Sequence, residues 1–246
     1  DDAKSIGAVN CVKVVENKLY GYNTDWIAFM MSLQSFNYNK KSSDNFNYLA
    51  DVNVNGYGND FNYLADGNGD GDCNVNGNDF NYLVDVIGFA SSFFSENISE
   101  NKINTLKSKL LFPNFKNALI RGKGGAAKAV ANALKTLNVD FKFASRTPNN
   151  SQEISYKDID NEFTENVDLI INATPCGTDG LGLDLDDVFD FNLIPENIYL
   201  YDLVYNPILT PFLLFGRDNK RCKIKNGYEM LSLQAFYSWF LWSSDC

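Results

Sequence analysis

The sequence NALIRGKGGAAKAVANALKTL, residues 117–137, predicts a strand, a glycine turn and a helix in immediate succession. The apolar run at 118–120 is typical of a parallel strand that is covered on both faces. Gly122, Gly124 and Gly125 then remove every Cβ atom at the bend. The helix that follows would pack one apolar face on the sheet and point its N-terminal amides at the turn. A dinucleotide pyrophosphate fits such a turn, although similar turns also close loops that bind no ligand.

The residues after the next strand test this interpretation. Residues 139–144 (VDFKFA) predict that strand, which leads into Ser145, Arg146 and Thr147 about twenty residues after the glycines. At this position a Rossmann fold contacts the adenosine ribose, where a carboxylate accepts the 2′-hydroxyl of NAD and an arginine suits the 2′-phosphate of NADP. A contact between Arg146 and phosphate, worth roughly 1.5 to 3 kcal/mol, would favour NADP by more than about tenfold. The alternative is a solvated surface arginine.

The composition is that of a globular protein with a substantial core. The chain has 246 residues, of which 45% are hydrophobic and 14% aromatic, enough for one large or two small domains. No apolar run approaches the roughly eighteen residues that a membrane span needs. The net charge of −10 argues against a nucleic-acid partner.

The histidine and cysteine content limits the chemistry. Because the chain contains no histidine, a Ser-His-Asp triad, a Cys-His pair and a histidine zinc site are excluded. Proton transfer must then use Lys, Asp, Glu or Tyr side chains. The cysteines are odd in number, which favours reduced thiols and a cytoplasmic location. They are Cys11, Cys73, Cys176, Cys222 and Cys246.

The N-terminal residues predict a hairpin followed by a helix. Residues 7–22 contain two runs rich in Val and Tyr around a Glu-Asn-Lys turn. Asn23, Thr24 and Asp25 then provide a helix N-cap with an acidic residue in the first turn. Asp25 is either a partner of the helix dipole or a functional carboxylate beside a cleft, and its position alone does not separate the two.

A segment rich in Asn, Asp, Gly and Tyr interrupts the chain at residues 37–95. It repeats the motif FNYLAD, or FNYLVD in its last copy, at 46–51, 61–66 and 80–85. Oxygen side chains alternate before a glycine, as in the first half of a calcium loop, at 51–56, 66–71 and 72–77. Because the twelfth position lacks a carboxylate each time, the segment resembles degenerate dockerin-type repeats. We therefore expect an irregular insertion with weak calcium binding at most, and assign no metal ligands.

The second half of the chain supplies two more buried strands. Residues 167–172 and 197–204 are apolar runs, and each leads into a loop of small or polar residues. Open parallel sheets bind ligands at the edge where such loops lie. The stretch 148–165 has no clear period. A short helix is predicted to start at 210–215, with a polar connection at 217–225.

The C-terminal residues 226–242 predict an amphipathic helix rich in aromatic side chains. Gln234 lies among apolar neighbours, where its amide needs a partner or costs roughly 1 to 3 kcal/mol. That partner is either another group of the core or a substrate.

A set of motifs, in order along the whole chain except the insertion, resembles the shikimate dehydrogenase family. Together they are far more specific than any one of them. The family reduces 3-dehydroshikimate to shikimate with NADPH, in the biosynthesis of chorismate and the aromatic amino acids. The motifs are GAVN at 7–10, YNTD at 22–25, GKGGAA at 122–127, SRT at 145–147, INATP at 171–175, DLVYNP at 202–207, and NGYEML at 226–231 with Gln234 after it.

The resemblance implies roles for individual residues. Asp25 would be the catalytic residue, acting with a lysine on the proton that accompanies hydride transfer. The residues expected to hold the substrate are Asn10, Asp25, Tyr205 and Gln234. The residues expected to bind NADP are Gly122, Lys123, Gly124, Gly125 and Ala126 at the pyrophosphate, Ser145, Arg146 and Thr147 at the 2′-phosphate, Leu203 and Gly227 at the nicotinamide, and also Thr174.

Departures from the family bear on activity. The family's catalytic lysine precedes the GAVN motif by more residues than stand before Asn10 here, and Lys4 is too close to replace it. The chain therefore resembles the later part of a longer protein, and we expect cofactor binding with little turnover. Asn150 stands where a second basic residue would help NADP binding. Lys123 replaces a small residue, and would either add a cation near the phosphate or crowd it.

The sequence thus predicts an α/β fold with a Rossmann-type parallel sheet domain, part of a second α/β substrate-binding lobe and an irregular insertion. The expected boundaries are 1–36 for the partial lobe, 37–95 for the insertion, 96–225 for the Rossmann domain with its preceding helix, and 226–246 for a helix that returns to the lobe. The expected function is NADP-dependent reduction of 3-dehydroshikimate. The alternatives are a quinate/shikimate dehydrogenase that uses NAD, and a non-catalytic binding protein on a decayed dehydrogenase scaffold.

Overall fold

The computed structural model describes residues 2–34, 36, 112–181 and 189–243. In chain order its helices and strands are α1 Asp2–Ile6, β1 Cys11–Val15, β2 Lys18–Tyr22, α2 Asp25–Ser32, β3 Asn117–Arg121, α3 Gly125–Thr136, β4 Asp140–Ser145, β5 Glu153–Ser155, α4 Asn161–Thr164, β6 Leu169–Asn172, β7 Tyr199–Asp202, α5 Pro211–Lys220, β8 Lys223–Lys225 and α6 Tyr228–Ser243.

The centre of the molecule is a six-stranded sheet with the order β5-β4-β3-β6-β7-β8, in which every pair is parallel. This is the strand order of a Rossmann fold, in which the chain reverses its direction of travel across the sheet between β3 and β6. The α/β class and the Rossmann-type sheet expected from the sequence are confirmed. Ligands of such sheets bind outside the carboxyl ends of the strands at this reversal point.

The central strand β3 is buried on both faces. Ala118 and Ile120 belong to a core cluster shared with α2, α3 and α6, whereas Leu119 belongs to a second cluster that includes Phe212 of α5. Successive side chains of a strand point to opposite faces, so a strand between two helical layers is apolar at every position. This explains why the sequence of β3 is a continuous apolar run.

The predicted N-terminal hairpin is confirmed. Strands β1 and β2 pair in antiparallel register from Cys11 with Tyr22 to Val15 with Lys18. The connecting residues Glu16 and Asn17 have φ angles of 49° and 63°. Positive φ at both central positions is the type I′ geometry that matches the twist of a two-residue hairpin.

Helix α2 follows the hairpin and is buried along its length. Every residue from Trp26 to Ser32 is buried, and the helix packs against both α3 and α6. Its N-terminus is capped by Asn23, whose Oδ1 accepts hydrogen bonds from the backbone N–H of Asp25 (3.1 Å) and of Trp26 (3.4 Å). The helix is therefore positioned by its cap as well as by the core.

The structure corrects the sequence prediction at both edges of the sheet. The stretch 148–165 contains strand β5 and helix α4, and the predicted polar connection at 217–225 contains the end of α5 and strand β8. Both missed strands are three residues long and pair on one side only. Such short edge strands show neither a continuous apolar run nor enough residues to reveal a period.

Two predictions fall on other parts of the chain. The helix expected to precede the Rossmann domain, in residues 96–111, and the repeats at 37–95 lie outside the described residues. The expected domain boundaries stay a prediction. Across the parts of the chain that the structure describes, no helix is both long and apolar enough to span a bilayer.

A buried arginine ends the central strand. Arg121 is fully buried, with its guanidinium carbon 4.8 Å from the ring centre of Phe189 and 5.4 Å from that of Phe212. Among the described residues, none of its three side-chain nitrogens reaches an acceptor with hydrogen-bonding geometry. Burial lowers the pKa of Arg121, and the nearby Tyr156 hydroxyl and Asp202 carboxylate offset part of that effect. A buried cation without matched acceptors opposes folding.

Replacing Arg121 with methionine should raise the free energy of unfolding by about 1 to 3 kcal/mol, because methionine fills a similar volume without a buried charge. The measurement is urea denaturation near pH 5, where Asp202, with a pKa of about 6, is mostly protonated and depends little on the cation. Arg121→Lys keeps the charge and should give no such gain. A methionine variant less stable than the wild type would contradict this account of Arg121.

Candidate functional site

The glycine turn after β3 closes against the loop after β6. Gly122 has a φ of +95°, and a Cβ atom there would lie 3.0 Å from Cγ2 of Thr174 and 3.1 Å from the carbonyl oxygen of Ala173. A side chain at this position would therefore be strained and would separate the two loops. The contact brings two of the predicted cofactor residues, Gly122 and Thr174, to one edge of the sheet.

The next part of the turn is open. No atom lies within 4 Å of the position that a Cβ of Gly124 would occupy. Gly124 is the N-cap of α3 and no side chain caps that helix. The first amides of a helix lack intrahelical partners and attract anions, so Gly124, Gly125 and Ala126 form a backbone cradle that a pyrophosphate would fit.

Lys123 extends away from this cradle toward the loop after β4. Its Nζ donates hydrogen bonds to the carbonyl oxygen of Thr147 (2.8 Å) and to Oε2 of Glu153 (3.0 Å). Ser145 is buried and its Oγ accepts the N–H of Thr147 at 3.2 Å. Arg146 is exposed. The structure thus brings Lys123 to the loop predicted to bind the 2′-phosphate.

A buried polar network supports the loops after β6 and β7. Asn172 Nδ2 donates to Oδ1 of Asp202 (2.8 Å), and Asn172 Oδ1 accepts the hydroxyl of Thr174 (2.6 Å). Asp202 also accepts the N–H of Val204 at 3.0 Å and the hydroxyl of Thr210 at 2.6 Å. Burial raises the pKa of Asp202 to about 6, against the lowering effect of these hydrogen bonds.

The raised pKa of Asp202 should make stability depend on pH. The folded state holds this proton more tightly than the unfolded chain, whose pKa is near 3.8. The carboxyl group therefore favours the fold at low pH, and this contribution is lost as the pH rises through about 6. The free energy of unfolding of the wild type should fall by about 2 to 3 kcal/mol relative to Asp202→Asn between roughly pH 4 and pH 7.

Urea denaturation of both proteins across that range is the measurement. The wild type and Asp202→Asn share all other carboxylates, including the exposed ones with lowered pKa values. The contributions of those groups to the pH dependence therefore cancel in the difference. A difference that stays constant with pH would show that Asp202 does not titrate in this range.

Leu203 and Gly227, which are both predicted to lie at the nicotinamide, approach each other closely. A Cβ at Gly227 would lie 2.0 Å from the carbonyl oxygen of Leu203. The N–H of Gly227 donates to the carbonyl of Val204 at 3.1 Å. The chain after β7 and the start of α6 therefore meet backbone against backbone, and only glycine permits this approach.

Gly227→Ala should lower the free energy of unfolding by about 3 kcal/mol or more, because the new methyl group meets backbone atoms that cannot rotate away. Gly124→Ala is the matched control, since its φ of −72° is ordinary and the space around it is open. Thermal denaturation distinguishes the two variants. Equal stability of the two would contradict the close approach of Gly227 to Leu203.

The predicted substrate residues Asn10 and Asp25 are joined by hydrogen bonds. Asn10 Nδ2 donates to Oδ1 of Asp25 (2.7 Å) and to the Thr24 hydroxyl (3.0 Å), while Asn10 Oδ1 accepts the N–H of Thr24 (2.8 Å). The Thr24 hydroxyl also lies 3.2 Å from the backbone carbonyl of Gln234 and 3.2 Å from the Ser238 hydroxyl. Thr24 therefore links the hairpin, the start of α2 and helix α6.

Burial shifts the protonation equilibrium of the Asp25 carboxyl group toward its neutral form. It is half-buried, and burial raises its pKa while the hydrogen bond from Asn10 opposes that effect. In the described ranges no lysine or arginine forms an ion pair with Asp25, and Lys4 lies exposed on α1.

The structure does not connect the other two predicted substrate residues to this cluster through their side chains. The side-chain amide of Gln234 is half-buried and makes no hydrogen bond within the described residues. Tyr205 is 47% exposed on the loop after β7. Core hydrogen bonding, one of the two interpretations of Gln234, is therefore not what the described part of the molecule shows.

Several groups at the site were not predicted from the sequence. Thr24, Asn172 and Asp202 stand inside the motifs YNTD, INATP and DLVYNP, so the signal for them was present. No motif marks Glu153. Glu153 lies beside the loop after β4, which is predicted to bind the adenosine ribose and is called the ribose loop below. This position follows only from the pairing of β5 with β4.

Metal binding finds no support in the described ranges, where no group of three or more Cys, Asp or Glu side chains could hold an ion. The calcium-loop-like segments at 51–56, 66–71 and 72–77 lie outside them. The cysteines of the described ranges, Cys11, Cys176 and Cys222, are free thiols.

Comparison with known proteins points to the family that the sequence motifs resemble. No protein-family model matches the chain. An NADP(+) shikimate dehydrogenase of Clostridium botulinum strain Hall is 29% identical over 98% of this chain. The chain is a homologue of the shikimate dehydrogenases. It spans 66% of the length of that relative. A shikimate dehydrogenase (NADP(+)) of Staphylococcus epidermidis is 34% identical over 134 residues, which are 51% of this chain and 48% of that protein.

Several solved structures have the same fold as this chain. Shikimate 5-dehydrogenase of Thermus thermophilus, solved with NADP(H) and shikimate, matches with a TM-score of 0.58 at 22% identity over 98% of this chain and 64% of that one. Quinate dehydrogenase of Corynebacterium glutamicum, solved with NAD, matches with a TM-score of 0.57 at 18% identity over 97% of this chain and 64% of that one.

Proposed function

We propose that this chain binds NADP(H) and interconverts 3-dehydroshikimate and shikimate, in the pathway to chorismate and the aromatic amino acids. The observation that carries the proposal is the hydrogen-bonded pair Asn10 and Asp25, held at the start of α2 in a chain that matches NADP(+) shikimate dehydrogenases along 98% of its length. Helix α2 packs directly on α3, the helix that begins at the glycine turn.

The cofactor would lie across the carboxyl ends of β3, β4 and β6. The backbone amides at Gly124 and Gly125 would hold its pyrophosphate, and Arg146 its 2′-phosphate. Leu203 would border the nicotinamide, at the loop that Gly227 packs against. NADPH, when bound, supplies the hydride. The protein's part is to orient the cofactor against the substrate.

The substrate would lie against the start of α2. The side-chain amide of Asn10 donates hydrogen bonds to Asp25 and Thr24. Its main role would therefore be to orient the carboxylate of Asp25 and to contact a substrate hydroxyl. In the oxidation of shikimate, Asp25 would accept the proton of the substrate hydroxyl as hydride leaves the carbon that bears it, and in the reduction it would return that proton to the ketone oxygen. The raised pKa of Asp25 suits that role, since a proton-exchanging group works best when its pKa lies near the operating pH.

Gln234 and Tyr205 would complete the binding of the substrate. The amide of Gln234, with no hydrogen bond to protein in the described residues, has both donors and its acceptor available. Tyr205 offers a phenol on an exposed loop at the same edge of the sheet. We also propose a cytoplasmic location, in keeping with the free thiols Cys11, Cys176 and Cys222.

One observation favours a second candidate, a quinate/shikimate dehydrogenase that uses NAD. The carboxylate of Glu153 accepts hydrogen bonds from Asn149 and Asn150 on the loop that would bind the adenosine ribose, where NAD enzymes use an acidic residue. The carboxylate is, however, already engaged by Lys123, and Arg146 stands on the same loop. We therefore keep NADP as the cofactor of the main proposal.

Asp25→Asn should lower kcat for NADP-dependent oxidation of shikimate by about 10² to 10⁴-fold, because the amide keeps the shape and loses the proton acceptor. NADPH binding, followed by fluorescence titration, should not change. Asp140→Asn is the matched control, because Asp140 is the first residue of β4 and lies at the amino end of that strand, opposite the carboxyl ends where the cofactor would lie. Turnover is expected to be low, so product formation should be followed over long incubations. Unchanged kcat in the Asp25 variant would overturn the role of Asp25, and a folded wild type that binds neither NADPH nor NADH would overturn the proposed function.

A further inference from the structure

We propose that Lys123 and Glu153 together set the preference of this chain between NADP and NAD, with Lys123 as a second cation for the adenosine 2′-phosphate and Glu153 as the carboxylate that opposes it. This inference rests on the proposed function. Lys123 would thus bind the adenosine 2′-phosphate and not the pyrophosphate, which is the group that the resemblance assigned to it.

The contacts of Lys123 place its charge at the ribose loop. The ammonium group bonds to the Thr147 carbonyl at 2.8 Å, and so lies beside the residue that follows Arg146. The side chain remains 36% exposed, which leaves room for a phosphate to approach. A lysine ammonium has three donors, and the structure uses two of them.

Glu153 occupies the donors that this loop would offer to a phosphate. Its Oε2 accepts Lys123 Nζ at 3.0 Å and the N–H of Asn149 at 3.1 Å, and its Oε1 accepts the amide of Asn150 at 3.0 Å. The side chain of Glu153 is only 10% exposed. Its hydrogen bond with Lys123 lowers the pKa of Glu153, so the carboxylate is ionised at neutral pH.

The charges around the expected 2′-phosphate then decide the direction of each effect. Arg146 and Lys123 contribute two positive charges and Glu153 one negative charge. Without the lysine the three positions would sum to zero, and without the carboxylate charge they would sum to two positive charges. The 2′-phosphate dianion of NADPH would lie among these charges and respond strongly to their sum, whereas NADH lacks the 2′-phosphate and carries only the more distant charges of its pyrophosphate.

A purely structural role for Lys123 makes a different prediction. Lys142 tethers the same loop in the same manner, since its Nζ donates to the carbonyl of Ser151 at 2.8 Å. Within the described residues, Lys142 forms neither an ion pair nor a hydrogen bond with Glu153. If holding the loop were all that Lys123 did, Lys142→Met would disturb cofactor binding as Lys123→Met does.

The experiment measures the dissociation constants of NADPH and NADH by fluorescence titration for the wild type, Lys123→Met, Glu153→Gln and Lys142→Met. We expect the ratio of NADH to NADPH dissociation constants to fall about fivefold in Lys123→Met and to rise about fivefold in Glu153→Gln, with NADH binding nearly constant. Lys142→Met should match the wild type. The differences should shrink as the salt concentration rises, since the site is partly exposed.

The outcomes separate this inference from the proposed function. Preference of the wild type for NADPH with an unchanged ratio in both Lys123→Met and Glu153→Gln would overturn the inference and leave the proposed function standing. Changes in the same direction for those two variants, or an equal effect of Lys142→Met, would also overturn it. A folded wild type that binds neither dinucleotide would overturn both proposals. Thermal denaturation without cofactor confirms that each variant is folded.

Discussion

The burial of α2 is the constraint on which the candidate site depends. Every residue from Trp26 to Ser32 is buried, and the helix packs on α3 and α6 at once. Interiors are close-packed, so a helix held on several sides cannot shift without losing contacts along its length. Since α2 begins at Asp25 and α3 begins at the glycine turn, packing between the two helices fixes the distance between the carboxylate and that turn. The site is therefore set by the core rather than by a loop.

Three neighbouring residues at the start of α2 make different hydrogen bonds. Asn23 caps the helix, which leaves the Thr24 hydroxyl free to bridge to α6 and the Asp25 carboxylate free to face Asn10. A cap made by Thr24 would have turned its hydroxyl toward the helix amides and broken the link to Ser238. The motif YNTD is thus a set of distinct hydrogen-bonding roles, and one asparagine placed before the N-cap position makes the others available.

The sequence predicted the strands that are covered on both faces and missed the short strands that pair at the edges of the sheet. Strands β3, β4, β6 and β7 lie within two residues of their predicted bounds, because strands covered on both faces are continuous apolar runs. The edge strands β5 and β8 left no such pattern. In the site, Asn10 and Asp25 could be named from motifs, but Glu153 could not, since its role depends on Lys123, 30 residues earlier in the chain. The buried Arg121 was equally hidden, because its environment is made by Phe189 and Phe212 from distant segments.

Under the proposed function, holding the dinucleotide and choosing between its two forms are separate properties of this molecule. The turn at Gly124 and the first amides of α3 would contact the pyrophosphate through the backbone, and NAD and NADP share that group. The fold is equally neutral: a shikimate dehydrogenase solved with NADP(H) and a quinate dehydrogenase solved with NAD match this chain with TM-scores of 0.58 and 0.57. Discrimination must then come from side chains at the ribose loop. There the chain has Lys123 from the glycine turn, Arg146 from the loop after β4 and the carboxylate of Glu153, which is bonded to Lys123. A single substitution can therefore shift the preference between the two cofactors without any change in the fold.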